Sequence, residues 1–64
     1  MEFLRYFENI EDAVRARNMI LVHLDIYTPD GSNEIYALTN SPELLDGEWI
    51  ELSDNNIEAL LSRM

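Results

Sequence analysis

The side chains able to do chemistry here are few and mostly of one kind: thirteen Asp and Glu, four Arg, a single His, and neither Lys nor Cys. Without a thiol or a side-chain amine, nucleophile–base pairs reduce to Ser, Thr or Tyr with His23. His23 lies between Val22 and Leu24 in a β-prone run, whereas catalytic groups more often sit at strand ends and loops. The spacing therefore predicts a structural or surface histidine. Paired carboxylates abound, but 64 residues leave little room for a cleft that would tune two of them apart. The expectation is a protein that is not an enzyme.

Oxygen-rich stretches raise the question of a cation. Asp30-Gly31-Ser32-Asn33-Glu34 and Asp54-Asn55-Asn56 with Glu58 both offer ligands, yet neither has the spacing of a calcium loop, with its Gly at six and Glu at twelve. A turn and a helix cap account for both, so no metal and no other cofactor is expected. No Gly-rich phosphate loop or basic patch is present.

The elements that must position these groups centre on Met19–Asn40. The apolar run Met19–Tyr27 and the run Asn33–Thr39 flank Thr28-Pro29-Asp30-Gly31-Ser32, a hairpin signature. A type I turn with Gly31 as bulge makes paired residue numbers sum to 60; a four-residue loop makes them sum to 61. The first register gathers Val22, Leu24 and Ile26 with Tyr36, Leu38 and Glu34. Asn9 caps a helix over about 9–18, followed by Glu11 and Asp12 at its positive end and closed by Asn18 in the left-handed conformation. Met1–Phe7 fits helical spacing slightly better than an edge strand. Ser41-Pro42-Glu43 reads as a short helical turn ended by Asp46-Gly47. Glu48–Leu52 is a third strand with Ile50 and Leu52 inward and Trp49 opposite. Ser53 or Asp54 opens a last helix whose Ile57, Leu60, Leu61 and Met64 form a stripe. The sum is one α+β domain over 1–64, of order α-β-β-β-α. A three-stranded antiparallel sheet packs against N- and C-terminal helices, its other face exposing some of Leu21, Tyr27, Ile35 and Trp49.

Charge is distributed unevenly. Residues 1–17 hold four acids and three arginines, and residues 18–64 hold nine acids and one arginine, making −1 and −8 of the −9 total. Such a segment repels a phosphate backbone, which argues against direct nucleic-acid binding. The start of the chain lacks a signal-peptide pattern and no apolar run approaches a membrane span, so a cytoplasmic protein without membrane contact is expected. A folded domain holds Asp25, Asp30, Glu34, Glu43, Asp46, Glu48, Glu51, Asp54 and Glu58 as an array several ångströms apart, with Tyr27, Tyr36 and Trp49 as aromatic anchors. In size, acidity and lack of catalytic groups the chain resembles the small inhibitors of bacterial viruses. These include anti-CRISPR proteins, anti-restriction proteins and uracil-DNA glycosylase inhibitors, several of which are DNA mimics. The resemblance is one of kind, covers no motif, and assigns no residue a role. It implies an inhibitor presenting carboxylates to a basic protein, such as a nucleic-acid-binding enzyme or complex. The competing expectation is an interaction module without mimicry: a small homodimer, a regulatory subunit or an antitoxin.

Overall fold

Asn9 sets the first helix in place. Its Oδ1 accepts the Asp12 N–H at 2.9 Å, and helix α1 runs over Ile10–Met19. Arg15 pairs with Glu11 at 2.7 Å one turn back. The computed structural model describes residues 1–32 and 34–63; Asn33 and Met64, placed above in an oxygen-rich turn and a helical stripe, lie outside them. Helix α1 does not close on a left-handed Asn18. It runs on through Met19, and Ile20 leaves it in extended conformation, its N–H bonding the Arg17 carbonyl.

Four strands form one antiparallel sheet, not three: β1 (Leu4–Phe7), β2 (Asp25–Pro29), β3 (Tyr36–Thr39) and β4 (Trp49–Glu51), in the order β1-β3-β2-β4. Met1–Phe7 is thus not helical. Strand β3 is apolar or small on both faces and buried throughout, and it lies inside the sheet with a strand on each side. Strand β1 supplies the second one, with Arg5 opposite Leu38 and Tyr6 opposite Ala37. Asn40 extends that pairing by its side chain, accepting the Phe3 N–H at 2.9 Å and donating to the Met1 carbonyl at 2.6 Å.

The hairpin register also differs. Ile26 faces Leu38 and Tyr27 faces Ala37, so paired numbers sum to 64, neither 60 nor 61. A shift of four is even, so the division into faces survives. The strand begins only at Asp25, because α1 and its exit use the residues up to Leu24; Val22 and His23 are exposed outside it. Pro29–Ser32 closes by a bond from the Ser32 N–H to the Pro29 carbonyl (3.1 Å), with Gly31 at φ 84°, the positive angle that a type II turn demands at its third residue. Thr28 Oγ1 lies 2.8 Å from the Ser32 carbonyl and 3.0 Å from that of Ile35, pinning the longer loop from inside.

Both helices cover one face. Ile10 and Ala13 of α1 and Ile57 of α2 (Asp54–Leu61) meet Leu24, Ile26, Tyr36 and Leu38 there, with Phe3, Phe7, Leu52, Leu60 and Leu61 at the margin. Ser53 and Asn56 make a reciprocal capping box at the start of α2. Ile50, expected inward, is 48% exposed at the sheet edge. Strands β3 and β4 flank β2 and run parallel to each other, so residues 40–48, including the 3-10 turn Pro42–Leu44, must return across the sheet. They do so opposite the helices.

Candidate functional site

The face away from the helices carries Tyr6 on β1, Ala37 and Thr39 on β3, Asp25 and Tyr27 on β2, and Trp49 and Glu51 on β4, as the registers dictate. It is not an open apolar patch. Tyr27 is only 9% exposed, and Ala37 and Thr39 are fully buried. Tyr6 and Trp49, on the two outer strands, approach each other across this face with ring centroids 6.0 Å apart. The Trp49 Nε1–H donates to the Asp46 carbonyl at 2.7 Å, fastening the crossover to the sheet. Thr39 Oγ1 donates to the Phe3 carbonyl at 2.6 Å and accepts the Ser41 N–H at 2.9 Å, fastening its other end.

Carboxylates ring the covered tyrosine. Tyr27 Oη lies 3.4 Å from Glu51 Oε1. Burial first, then the negative charges of Glu51, Asp25 and Glu43, hold its hydroxyl above the usual tyrosine range. Of the residues expected to meet a partner, Asp25, Tyr27, Glu43 and Glu51 are thus drawn together. Asp46, Glu48 and Trp49 stand at the entry to β4, at the far end of β2 from Asp25, where Trp49 pairs with Pro29 and the Asp30 N–H bonds the Glu48 carbonyl at 2.9 Å. Asp54 opens α2 beyond β4. Nothing ties Glu34 or Glu58 to the cluster: Glu34 is exposed in the hairpin loop and Glu58 on α2.

A groove of about 520 Å³ at one end of the molecule is lined by Arg17, His23, Asp25, Glu51, Ser53 and Asp54, with Val22, Leu24 and Leu52. The sequence did not point to it, because Arg17 and Asp54 become neighbours only when α1 and α2 pack on the same face. His23 Nε2 is 3.2 Å from Asp25 Oδ1, and Ser53 shares the groove. That triplet of residue types lacks the nucleophile–base bond, since the Ser53 hydroxyl donates instead to Asn56 Oδ1 at 2.7 Å. Among the described residues no group of three or more His, Cys, Asp and Glu could hold a metal ion, and no helix is long and apolar enough to cross a membrane.

Ion pairs show how the acids are left. Among the described residues they join Arg15 to Glu11 and Asp12, while His23 makes a contact with Asp25 that becomes an ion pair only when the imidazole is protonated. From Asp30 onward the described carboxylates have no ion-pair partner among the described residues. Compared with known protein families, with curated proteins and with solved structures, the chain matches none.

Proposed function

We propose that this protein is a small acidic inhibitor that presents a carboxylate array to a basic protein surface, of the DNA-mimic or anti-defence kind. The observation that carries the reading is that, among the described residues, the acids from Asp30 onward make no ion pair, within a segment over 18–64 of charge −8. Uncompensated acid costs a small domain stability through self-repulsion, and a basic partner removes that cost on binding. Strand pairing and the crossover hold Asp25, Glu43 and Glu51 in fixed relation, and diagonal neighbours in a sheet stand roughly 7–8 Å apart. Fixed charge at that spacing imitates phosphates to a site built from Arg and Lys.

The test is capture of basic partners by the immobilised protein at low salt, eluted with a salt gradient and challenged with duplex DNA. Expected is a partner lost steeply with salt and displaced by DNA. An affinity that barely changes between low and high salt, or that DNA leaves untouched, sinks the mimic reading.

One observation favours a second reading, an interaction module without mimicry. Met19 at the end of α1 and Leu21 and Val22 in the connection to β2 are exposed, an apolar stretch beside the groove. Self-association through it would survive or strengthen in salt, and sedimentation at low and high salt separates the two.

A further inference from the structure

We infer that β4 is a docking edge that takes up an extended segment of the partner as a fifth strand, one whose basic and apolar side chains alternate. The inference rests on the reading that the partner is basic and adds where and in what form it is bound. Strand β4 is the outer strand of the sheet beside β2. Thr28 and Ile50 face each other in a hydrogen-bonded pair, as the flanking bonds from Leu52 N–H to Ile26 carbonyl and from Asp30 N–H to Glu48 carbonyl require. The peptide groups of Trp49 and Glu51 therefore point the other way, to the open edge. Such an edge is a template for a further strand.

Its two sides differ. On the helix side Ile50, Leu52, Ala59 and Leu60, with Asn56 and Arg63, line a shallow groove of about 280 Å³, and Ile50 is half exposed there. On the opposite side stands Glu51, next to the cluster of Asp25 and Glu43, while Asp46 and Glu48 precede the strand. Side chains of an added strand alternate between these sides. One set meets the apolar groove, and the other meets carboxylates that have no ion-pair partner among the described residues apart from the His23–Asp25 contact. A second copy is the poorer occupant. Two β4 edges would oppose their acids, and β1 carries Arg5 alone between Glu2 and Glu8.

Trp49, the chain's single tryptophan, reports binding by its fluorescence. The probes are three capped six-residue peptides: lysine and valine alternating, the same residues in two blocks, and the alternating peptide with alternate backbone nitrogens methylated. The methyls go on the amides that would face β4. Expected is binding of the alternating peptide, with the other two weaker by about tenfold or more, the scale of one or two hydrogen bonds together with side-chain packing in the groove. Two substitutions complete the test. Glu51→Gln keeps the outward N–H and removes a charge; Glu51→Pro also removes that N–H without breaking the ladder to β2. Expected is a few-fold loss for the first and a further loss of about tenfold for the second, with folding checked by circular dichroism. If Glu51→Pro does not fold, the methylated peptide decides alone. Equal binding of the alternating and block peptides, or none by the alternating one, overturns the edge and leaves the charge reading standing. A dimer that Glu51→Pro dissociates also overturns it, giving the edge to a second copy. Binding that discriminates among the peptides yet ignores salt overturns the charge reading and not the edge.

Discussion

At the scale of single residues, two side chains on the crossover face carry more than their size suggests. Thr39 is fully buried and its hydroxyl serves two backbone groups, the Phe3 carbonyl and the Ser41 N–H. Thr39→Val keeps the shape, leaves the Ser41 N–H without this partner and the Phe3 carbonyl with only the longer bond from the Asn40 N–H, so it should cost about 2 kcal/mol. Thr39→Ser keeps the bonds, loses one methyl, and should cost about 1 kcal/mol. Urea melts followed by Trp49 fluorescence measure both, and equal costs would mean that the hydroxyl bonds contribute nothing. Tyr27 predicts a pH dependence. Its hydroxyl is held above the ordinary value of 10.0 by burial and by Glu51, Asp25 and Glu43, so the folded chain binds this proton more tightly than the unfolded one. The resulting stability is whole below about pH 10 and is lost as pH rises through the folded value. Ultraviolet titration should show a late tyrosine step that Tyr27→Phe removes, and the variant's stability should fall less above pH 10. A Tyr27→Phe chain with an unchanged late step would contradict the burial of this ring among carboxylates.

Secondary-structure elements differ in how legible they are in the sequence, and the differences have physical causes. Helix caps are local chemistry: Asn9 and Ser53 cap α1 and α2 as their types predict. Ser53→Ala should therefore cost about 1 kcal/mol in a urea melt, and a cost near zero would mean that the box with Asn56 is ornamental. The core face of the hairpin was legible for Leu24, Ile26, Tyr36 and Leu38, since period-two alternation depends on parity and not on the length of the loop, but not for Val22, which is exposed ahead of the strand. The register was not legible, because Gly31 takes the third position of a turn over Pro29–Ser32 instead of serving as the bulge after a type I turn, and the loop runs on to Ile35, held by the Thr28 hydroxyl. Met1–Phe7 stayed ambiguous because Phe3, Leu4 and Phe7 satisfy both periods, and only the unfilled side of β3 decides between them. The decisive clue lay in β3 itself. Tyr-Ala-Leu-Thr has no charge on either face, which fits a strand covered on both faces, by the helices on one and by the crossover on the other. For the candidate site, the exposure of the acids was readable from their type. The burial of Tyr27 and the meeting of Asp25, Glu43 and Glu51 were not, because the pairing of β4 with β2 brings Glu51 beside Tyr27 and the crossover brings in Glu43.

For the whole molecule the governing quantity is a net charge of −9 on a body of 33 × 27 × 18 Å. At 10 mM salt the Debye length is about 30 Å, so every carboxylate feels the rest; at 0.1 M it is about 10 Å, and most of that repulsion is screened. Because Arg15 pairs locally with Glu11 and Asp12 and the acids from Asp30 onward lack ion pairs among the described residues, screening relieves repulsion without breaking attractive pairs of comparable number. Sodium chloride should therefore stabilise the free domain, by about 1 kcal/mol between 10 mM and 0.2 M, with most of the gain below 0.1 M. Urea melts across that range check it, and the early plateau separates screening from the steady rise that excluded salts give by strengthening apolar burial. Partner affinity should move the other way over the same range, falling about tenfold or more, since the same acids attract a basic surface. Neutralising Glu48 or Glu51 to Gln should repeat both signs at fixed low salt, raising stability by a few tenths of a kcal/mol and weakening binding. A domain whose stability ignores salt would have carboxylates too widely spaced to repel one another. Such carboxylates would also be too widely spaced to act together on a partner, so a single flat profile would count against both halves of the reading.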